Sequence, residues 1–231
     1  MTHIIAPAKL TLSLKVIGVR EDGFHLIDAE MVSLELHDVL TITEGEMGMS
    51  VSGPFASGVP TDDSNLVTRA LQLCGKTAHI RIEKNIPHGG GLGGGSSDAA
   101  AVLRWAGYSD YVAASRLGAD IPFCMHGGRA HVTGIGEILE PLPHVAREIT
   151  LVVPPFGVST PAVYKAFDSL HAQHDGPNDL EPAAIAVEPR LAQWRDRIRE
   201  ASGQFPVLAG SGATWWLDGA HPRIHEALSE A

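Results

Sequence analysis

Seven residues in the middle of the chain, Gly89-Gly90-Gly91-Leu92-Gly93-Gly94-Gly95, contain six glycines. A run with so few Cβ atoms is costly inside a helix or strand, so it must connect two elements. The segment before it, His79–Glu83, alternates Ile80 and Ile82 with Arg81 and Glu83, and Pro87 ends that strand. After it, Ser96-Ser97-Asp98 opens a predicted helix through Ala99–Trp105. Glycines let successive backbone N–H groups turn toward one anion, and the helix that follows adds free N–H groups and the positive end of its dipole. Ser96 and Ser97 add hydroxyls. A polyphosphate suits this arrangement, and a flexible linker does not, because linkers seldom join a strand to a capped, alanine-rich helix. The Lys-Ser/Thr ending of a Walker A loop is missing. Gly89, Gly91 and Gly94 satisfy the dinucleotide spacing, but the preceding strand exposes charge on one face, whereas a Rossmann first strand is buried on both.

The remaining pattern indicates an α+β chain. Lys9–Val16 alternates strictly, with Leu10, Leu12, Leu14 and Val16 on one face, predicting an antiparallel strand with one covered face. Asp22-Gly23 marks a turn, and Ala29–Thr43 resumes extended character. Ser64 or Asn65 caps a predicted helix that ends near Gly75; Tyr111–Leu117 reads as a short helix and Ala119–Gly128 as a loop. Short strands follow at 130–132, 138–142 and 149–153, with prolines placing a soft boundary near His144. Helices are predicted over Thr160–Leu170 and Leu180–Arg199, the latter interrupted near Pro189, before Val207-Leu208, a Gly210-Ser211-Gly212 turn and Thr214–Leu217. Strands and helices interleave without regular βαβ alternation, which favours α+β over a doubly wound sheet.

Composition excludes several classes. The 231 residues carry a net charge of −10 and no basic run, which argues against a general nucleic-acid binder. No stretch of apolar residues is long enough for a membrane span and no leader pattern opens the chain, so a soluble cytoplasmic protein is expected. Cys74 and Cys124 fit neither a zinc spacing nor a disulfide framework. His171-x-x-His174 and His221-x-x-x-His225 have ligand-like spacing, but no Cys or carboxylate cluster joins them and each lies in a polar, surface-like segment. No Gly-x-Ser-x-Gly elbow supports a serine hydrolase. One carboxylate stands out: Asp120, in the apolar stretch Gly118-Ala119-Asp120-Ile121-Pro122-Phe123. It needs a cation or a catalytic task, unless it merely caps a helix. Lys9 on the first strand reads as a solvated lysine by its local sequence. The Gly210–Thr214 turn could brace the glycine run or simply close a hairpin.

Three segments together resemble the motifs of the GHMP kinase superfamily: Ala6-Pro7-Ala8-Lys9-Leu10-Thr11-Leu12, Ile86 through Ala101, and Ala209–Thr214. Within it the chain is similar to the 4-diphosphocytidyl-2-C-methyl-D-erythritol kinase branch, through Arg20–His25, Gly118–Phe123, Gly134–Glu137, Ser159-Thr160 with Tyr164, and Asn178–Glu181. The resemblance implies a two-domain α+β fold, divided as 1–144 and 145–231, with the active site in the cleft between them. It implies ATP and Mg2+, with Asn65 and the loop Gly89, Gly90, Gly91, Leu92, Gly93, Gly94, Gly95, Ser96 and Ser97 on the nucleotide, Ser97 being a candidate for the metal. It makes Asp120 the general base with Lys9 beside it, and puts Thr11, Phe24, His25, Thr160 and Tyr164 on the substrate, a cytidine diphosphate conjugate of methylerythritol. Phe24 and Tyr164 are expected to face one base. Thr11 stands where the branch usually has asparagine, and the second domain is expected to be short, without a terminal strand and helix. Homoserine- or mevalonate-type kinases and a nucleotide-binding scaffold are the alternatives. Monomer and homodimer both stay open.

Overall fold

The protein is described here by a computed structural model covering residues 1–170 and 175–229; the His171/His174 pair lies outside them. Two long strands, β1 (Thr2–Val19) and β2 (His25–Glu44), form an antiparallel pair that organises the first half of the chain. They are followed by β3 (Gly48–Ser52), α1 (Leu66–Cys74), β4 (Ala78–Glu83), α2 (Gly94–Trp105), α3 (Tyr111–Ser115), α4 (Ile121–His126), β5 (Arg129–Gly134) and β6 (Ile138–Pro141). Along one edge of β2 runs β1; along the other, β5 pairs with its first half and β4 with its second. In the sheet β3 pairs parallel to β4, and β6 pairs antiparallel to β5. The second half has β7 (Ile149–Val152), α5 (Thr160–Leu170), α6 (Glu181–Val187), α7 (Arg190–Ser202), β8 (Val207–Leu208), β9 (Trp215–Asp218) and α8 (Ile224–Ser229). Its sheet has the order β7-β9-β8.

The first strand departs from the one-sided reading, and the departure builds the site. Ala6, Ala8, Leu10, Leu12 and Leu14 share one parity, yet Ala6 and Leu14 join the core under α2, while Ala8, Leu10 and Leu12 join a second cluster with Leu92, Ala209 and Trp216. Register shifts between Pro7 and Lys9 and between Thr11 and Ser13 turn the strand over for its middle stretch. Lys9 and Thr11 therefore point to the helix side and are buried, not solvated. Both faces of the strand are covered there.

Two other expectations are corrected. Ala119–Gly128 is not all loop: Ile121–His126 is helical, with Pro122 in the first turn, where a missing N–H costs nothing. A short helix, α8, also follows the third motif. The predicted cap of α1 resolves to Asn65, whose Oδ1 accepts from Val67 N at 2.8 Å. The break near Pro189 separates α6 from α7. Helix α2 begins two residues earlier than predicted, inside the glycine run. The sequence offered no clear signal for β3.

Candidate active site

The glycine loop runs from β4 into α2 and is gripped from two sides. On one side is β1: Lys9 N donates to Leu92 O at 3.0 Å, and a Cβ on Gly93 would lie 2.7 Å from Lys9 Cγ. On the other is the third motif, where Thr214 N donates to Gly90 O at 3.1 Å and a Cβ on Gly91 would fall on the Ala209 carbonyl oxygen. Gly91 and Gly93 have φ of 77° and 68°, so close approach and left-handed backbone both demand glycine. The Gly210–Thr214 turn thus braces the loop. Leu92 buries its side chain in the cluster beneath and anchors the loop. Thr214 Oγ1 is buried beside Gly90 without a hydrogen-bond partner.

Lys9 leads from this loop to the carboxylate. Its Nζ lies 3.2 Å from Asp120 Oδ2 and 3.2 Å from Thr11 Oγ1. Asp120 sits at the N-cap position of α4, but its side chain makes no capping bond. That decides between the two readings of Asp120: the carboxylate faces a buried ammonium and stays partly open to solvent. Three segments far apart in sequence therefore bring together a phosphate-type loop, a lysine and a carboxylate.

The expected nucleotide residues are placed unevenly. Ser96 is partly exposed next to the loop, whereas Ser97 is fully buried and donates its hydroxyl to Pro7 O at 2.5 Å. Asn65 spends its amide locally, donating to Pro60 O at 2.6 Å and accepting from Val67 N, while its neighbour Leu66 lies against Gly95. Among the described residues no three His, Cys, Asp or Glu side chains come together as a metal site. A divalent cation here would be held mainly by phosphate oxygens, with hydroxyls such as Ser96 beside it.

The substrate residues form a second group. His25 opens β2, directly after the bend from β1, and contacts Tyr164 of α5, with ring centroids 4.6 Å apart. Its Nε2 is 2.7 Å from Asp168 Oδ1. Tyr164 is largely buried, and burial, with Asp120 nearby, pushes its hydroxyl up to about 12. Phe24 is exposed, with the Arg20 guanidinium 5.6 Å from its ring centroid. The ring that Tyr164 meets is that of His25. Thr160 Oγ1 and Ser211 Oγ are 2.7 Å apart, tying the start of α5 to the third motif.

Residues to which the sequence assigned no site role support this arrangement. Lys84 Nζ is buried between Asp38 and Asp98, 2.6 Å from Asp98 Oδ2, under Gly94. Asp38 Oδ1 accepts from the N–H groups of Asn85 and Ile86, which lead into the loop. Burial, together with the neighbouring Asp38, raises the Asp98 carboxyl to about 7 against the pull of Lys84. Asn178 Nδ2 donates to Leu208 O at 2.9 Å and Gly210 O at 2.7 Å, and Asp179 accepts from Lys15 Nζ at 2.8 Å, pinning the third motif to β1. A groove of about 1340 Å³ is lined by residues such as Val32, Leu34, Ile149 and Leu151 and by none of the loop, Lys9 or Asp120.

Residues 65–128 match the family described as GHMP kinases N terminal domain. A 4-diphosphocytidyl-2-C-methyl-D-erythritol kinase of Paracoccus denitrificans is 43% identical over 233 residues, taking in 90% of this chain and 84% of that protein. The chain belongs to the 4-diphosphocytidyl-2-C-methyl-D-erythritol kinase family. A Cereibacter sphaeroides member of that family is 36% identical, with 100% of this chain and 94% of the relative covered. A crystal structure of a 4-(cytidine 5'-diphospho)-2C-methyl-D-erythritol kinase superimposes with TM-score 0.73 at 31% identity, over 99% of this chain and 94% of that one. A putative homoserine kinase from Listeria monocytogenes, at TM-score 0.58 and 16% identity, shares the fold.

Proposed function

We propose that this protein transfers the γ-phosphoryl group of ATP to the 2-hydroxyl of 4-diphosphocytidyl-2-C-methyl-D-erythritol, a cytoplasmic step of non-mevalonate isoprenoid precursor synthesis. The observation that carries the reading is the Lys9–Asp120 pair, 3.2 Å apart at the edge of a glycine loop, in a chain 43% identical to a kinase of that name. The loop N–H groups and the start of α2 favour the phosphates. Asp120 accepts the hydroxyl proton as the substrate oxygen bonds to the γ-phosphorus; the bond to the β-phosphate oxygen breaks and ADP leaves. Lys9 orients Asp120 and adds positive charge where negative charge spreads over the transferring group. Mg2+, when bound with ATP, would supply further neutralisation of the phosphate charge. Thr11, held by Lys9, and the His25–Tyr164 group belong to the substrate end. A division into residues 1–144 and 145–231 is supported by the change of sheet between β6 and β7.

The test is ADP release by the purified protein against the cytidyl substrate, homoserine and mevalonate. Turnover with the cytidyl substrate alone is expected. Turnover restricted to homoserine or mevalonate would move the protein to another branch, and none with any substrate would leave a nucleotide-binding scaffold.

A further inference from the structure

Gly134-Ile135-Gly136-Glu137 is part of the family resemblance, yet the proposed transfer uses none of its residues. These residues make the turn that joins β5 to β6, and the turn lies against the segment that carries Asp120. Gly136 is buried, with φ of 126°. A Cβ on it would fall 2.2 Å from the Ala119 carbonyl oxygen and 3.0 Å from the carbonyl carbon. That carbonyl belongs to the peptide plane that ends at the Asp120 Cα, and the plane moves as one body. Whatever touches the Ala119 carbonyl therefore fixes where Asp120 starts. The carboxylate at the other end of the residue meets Lys9 Nζ at 3.2 Å. Asp120 is thus held twice, by β1 through its side chain and by the β5–β6 turn through its backbone. Helix α4 gives the side chain no help, since it is six residues long and makes no capping bond to the Asp120 carboxylate.

Glu137 closes the turn. Its Oε2 accepts from Ile135 N at 2.6 Å, and its Oε1 lies 3.8 Å from the Arg20 guanidinium at the bend between β1 and β2. Gly136 N donates to Thr133 O at 3.2 Å across the same turn. We propose that this turn is a positioning element for the proton acceptor: Gly136 backs the Ala119–Asp120 peptide, and Glu137 keeps the turn closed behind it. The inference rests on the reading of Asp120 as the general base and adds to it what holds that base in place. Alanine at 136 would need about an ångström more room, because ordinary contact with a Cβ begins near 3.4 Å. The left-handed backbone would add strain of its own. Strain alone costs stability, whereas a displaced carboxylate costs turnover, and the two can be measured apart.

The experiment measures ADP release with the cytidyl substrate for Gly136→Ala, alone and combined with Asp120→Asn, and for Glu137→Ala and Glu137→Gln. Gly136→Ala is expected to lower kcat by roughly 10- to 100-fold, the scale of an ångström's misplacement of a reacting group, with the KM for ATP within about twofold of wild type. In the Asp120→Asn background the same substitution should cost nothing further, because a carboxylate that is gone cannot be misplaced. Glu137→Ala should also lower kcat, and Glu137→Gln, which keeps an oxygen for Ile135 N, should restore it. That pair decides the matter if Gly136→Ala does not fold. A folded Gly136→Ala with wild-type kcat overturns the inference. So does an equal loss with and without Asp120→Asn, or a rise in the KM for ATP that matches the fall in kcat; either makes Gly136 a residue of the fold alone. Alanine and glutamine variants at 137 that share one kcat also overturn it. Asp120→Asn with wild-type turnover, or a wild type without turnover, overturns the reading beneath and the inference with it. A slow Asp120→Asn beside a fully active Gly136→Ala overturns the inference alone.

Discussion

Asp120 shows how much one side chain's role depends on a partner that local sequence does not reveal. An aspartate before Ile121-Pro122 is a reasonable helix cap, and it does occupy the N-cap position of α4. Its carboxylate nevertheless turns away from the helix and toward Lys9 Nζ, 3.2 Å distant. If it takes the substrate proton, Asp120→Asn should keep ATP binding and fold while turnover drops by roughly 10²–10⁴-fold, the usual share of a general base. Steady-state kinetics beside calorimetric ATP titration would check this, and near-normal turnover in a folded variant would leave Asp120 as no more than the ion-pair partner of Lys9. Ser97 makes the converse point: its place in the motif suggests a ligand, but its hydroxyl is committed to Pro7 O.

Among the elements, β1 and the glycine loop depend on each other. The register shifts that turn Lys9 and Thr11 inward also bring the β1 backbone close enough for Lys9 N to reach Leu92 O. Gly93 lies where a β-branched side chain would meet Lys9 Cγ and a backbone φ of 68° at once. Gly93→Val should therefore abolish ATP binding while the cytidyl substrate still binds, measured by titration calorimetry with each ligand. Unchanged ATP affinity in a folded variant would mean that the loop serves another purpose. The loop, the helix after it and the strand before it were legible in the sequence, because glycine content, capping residues and alternation are local signals. The inversion of β1 was not. Strict alternation over Lys9–Val16 describes a flat strand, and bulges arise from pairing with β2, which local alternation does not report.

At the scale of the whole molecule, a buried charge group holds the loop to the first sheet. Lys84, Asp38 and Asp98 join β2, the end of β4 and α2 with scarcely any exposure. Lys84→Met would leave two carboxylates buried without their cation, and a loss of about 3–5 kcal/mol of stability is expected from urea unfolding. Asp98 adds a pH dependence. Its carboxyl is raised to about 7 in the folded protein, from the usual 3.8 of an aspartate. The folded state therefore binds the proton more tightly, and this contribution is complete below about pH 4 and lost as pH rises through about 7. Asp98→Asn should gain stability relative to the wild type between about pH 4 and pH 7, with no further change above, a difference in which the other titrating groups cancel. Equal pH slopes for the two proteins would contradict it.

Taken alone, the sequence determined the α+β class, the position of the phosphate-type loop and the membership of its residues in a kinase pattern, since each rests on neighbours within a few residues or on motif order. Only the tertiary structure decided that Lys9 is buried against Asp120, that Tyr164 meets His25, and that Gly136 and Lys84 stand behind the site. Those contacts join segments as far apart as β1, α4 and α5, and burial, charge pairing and ring contact are properties of the neighbours a fold brings together.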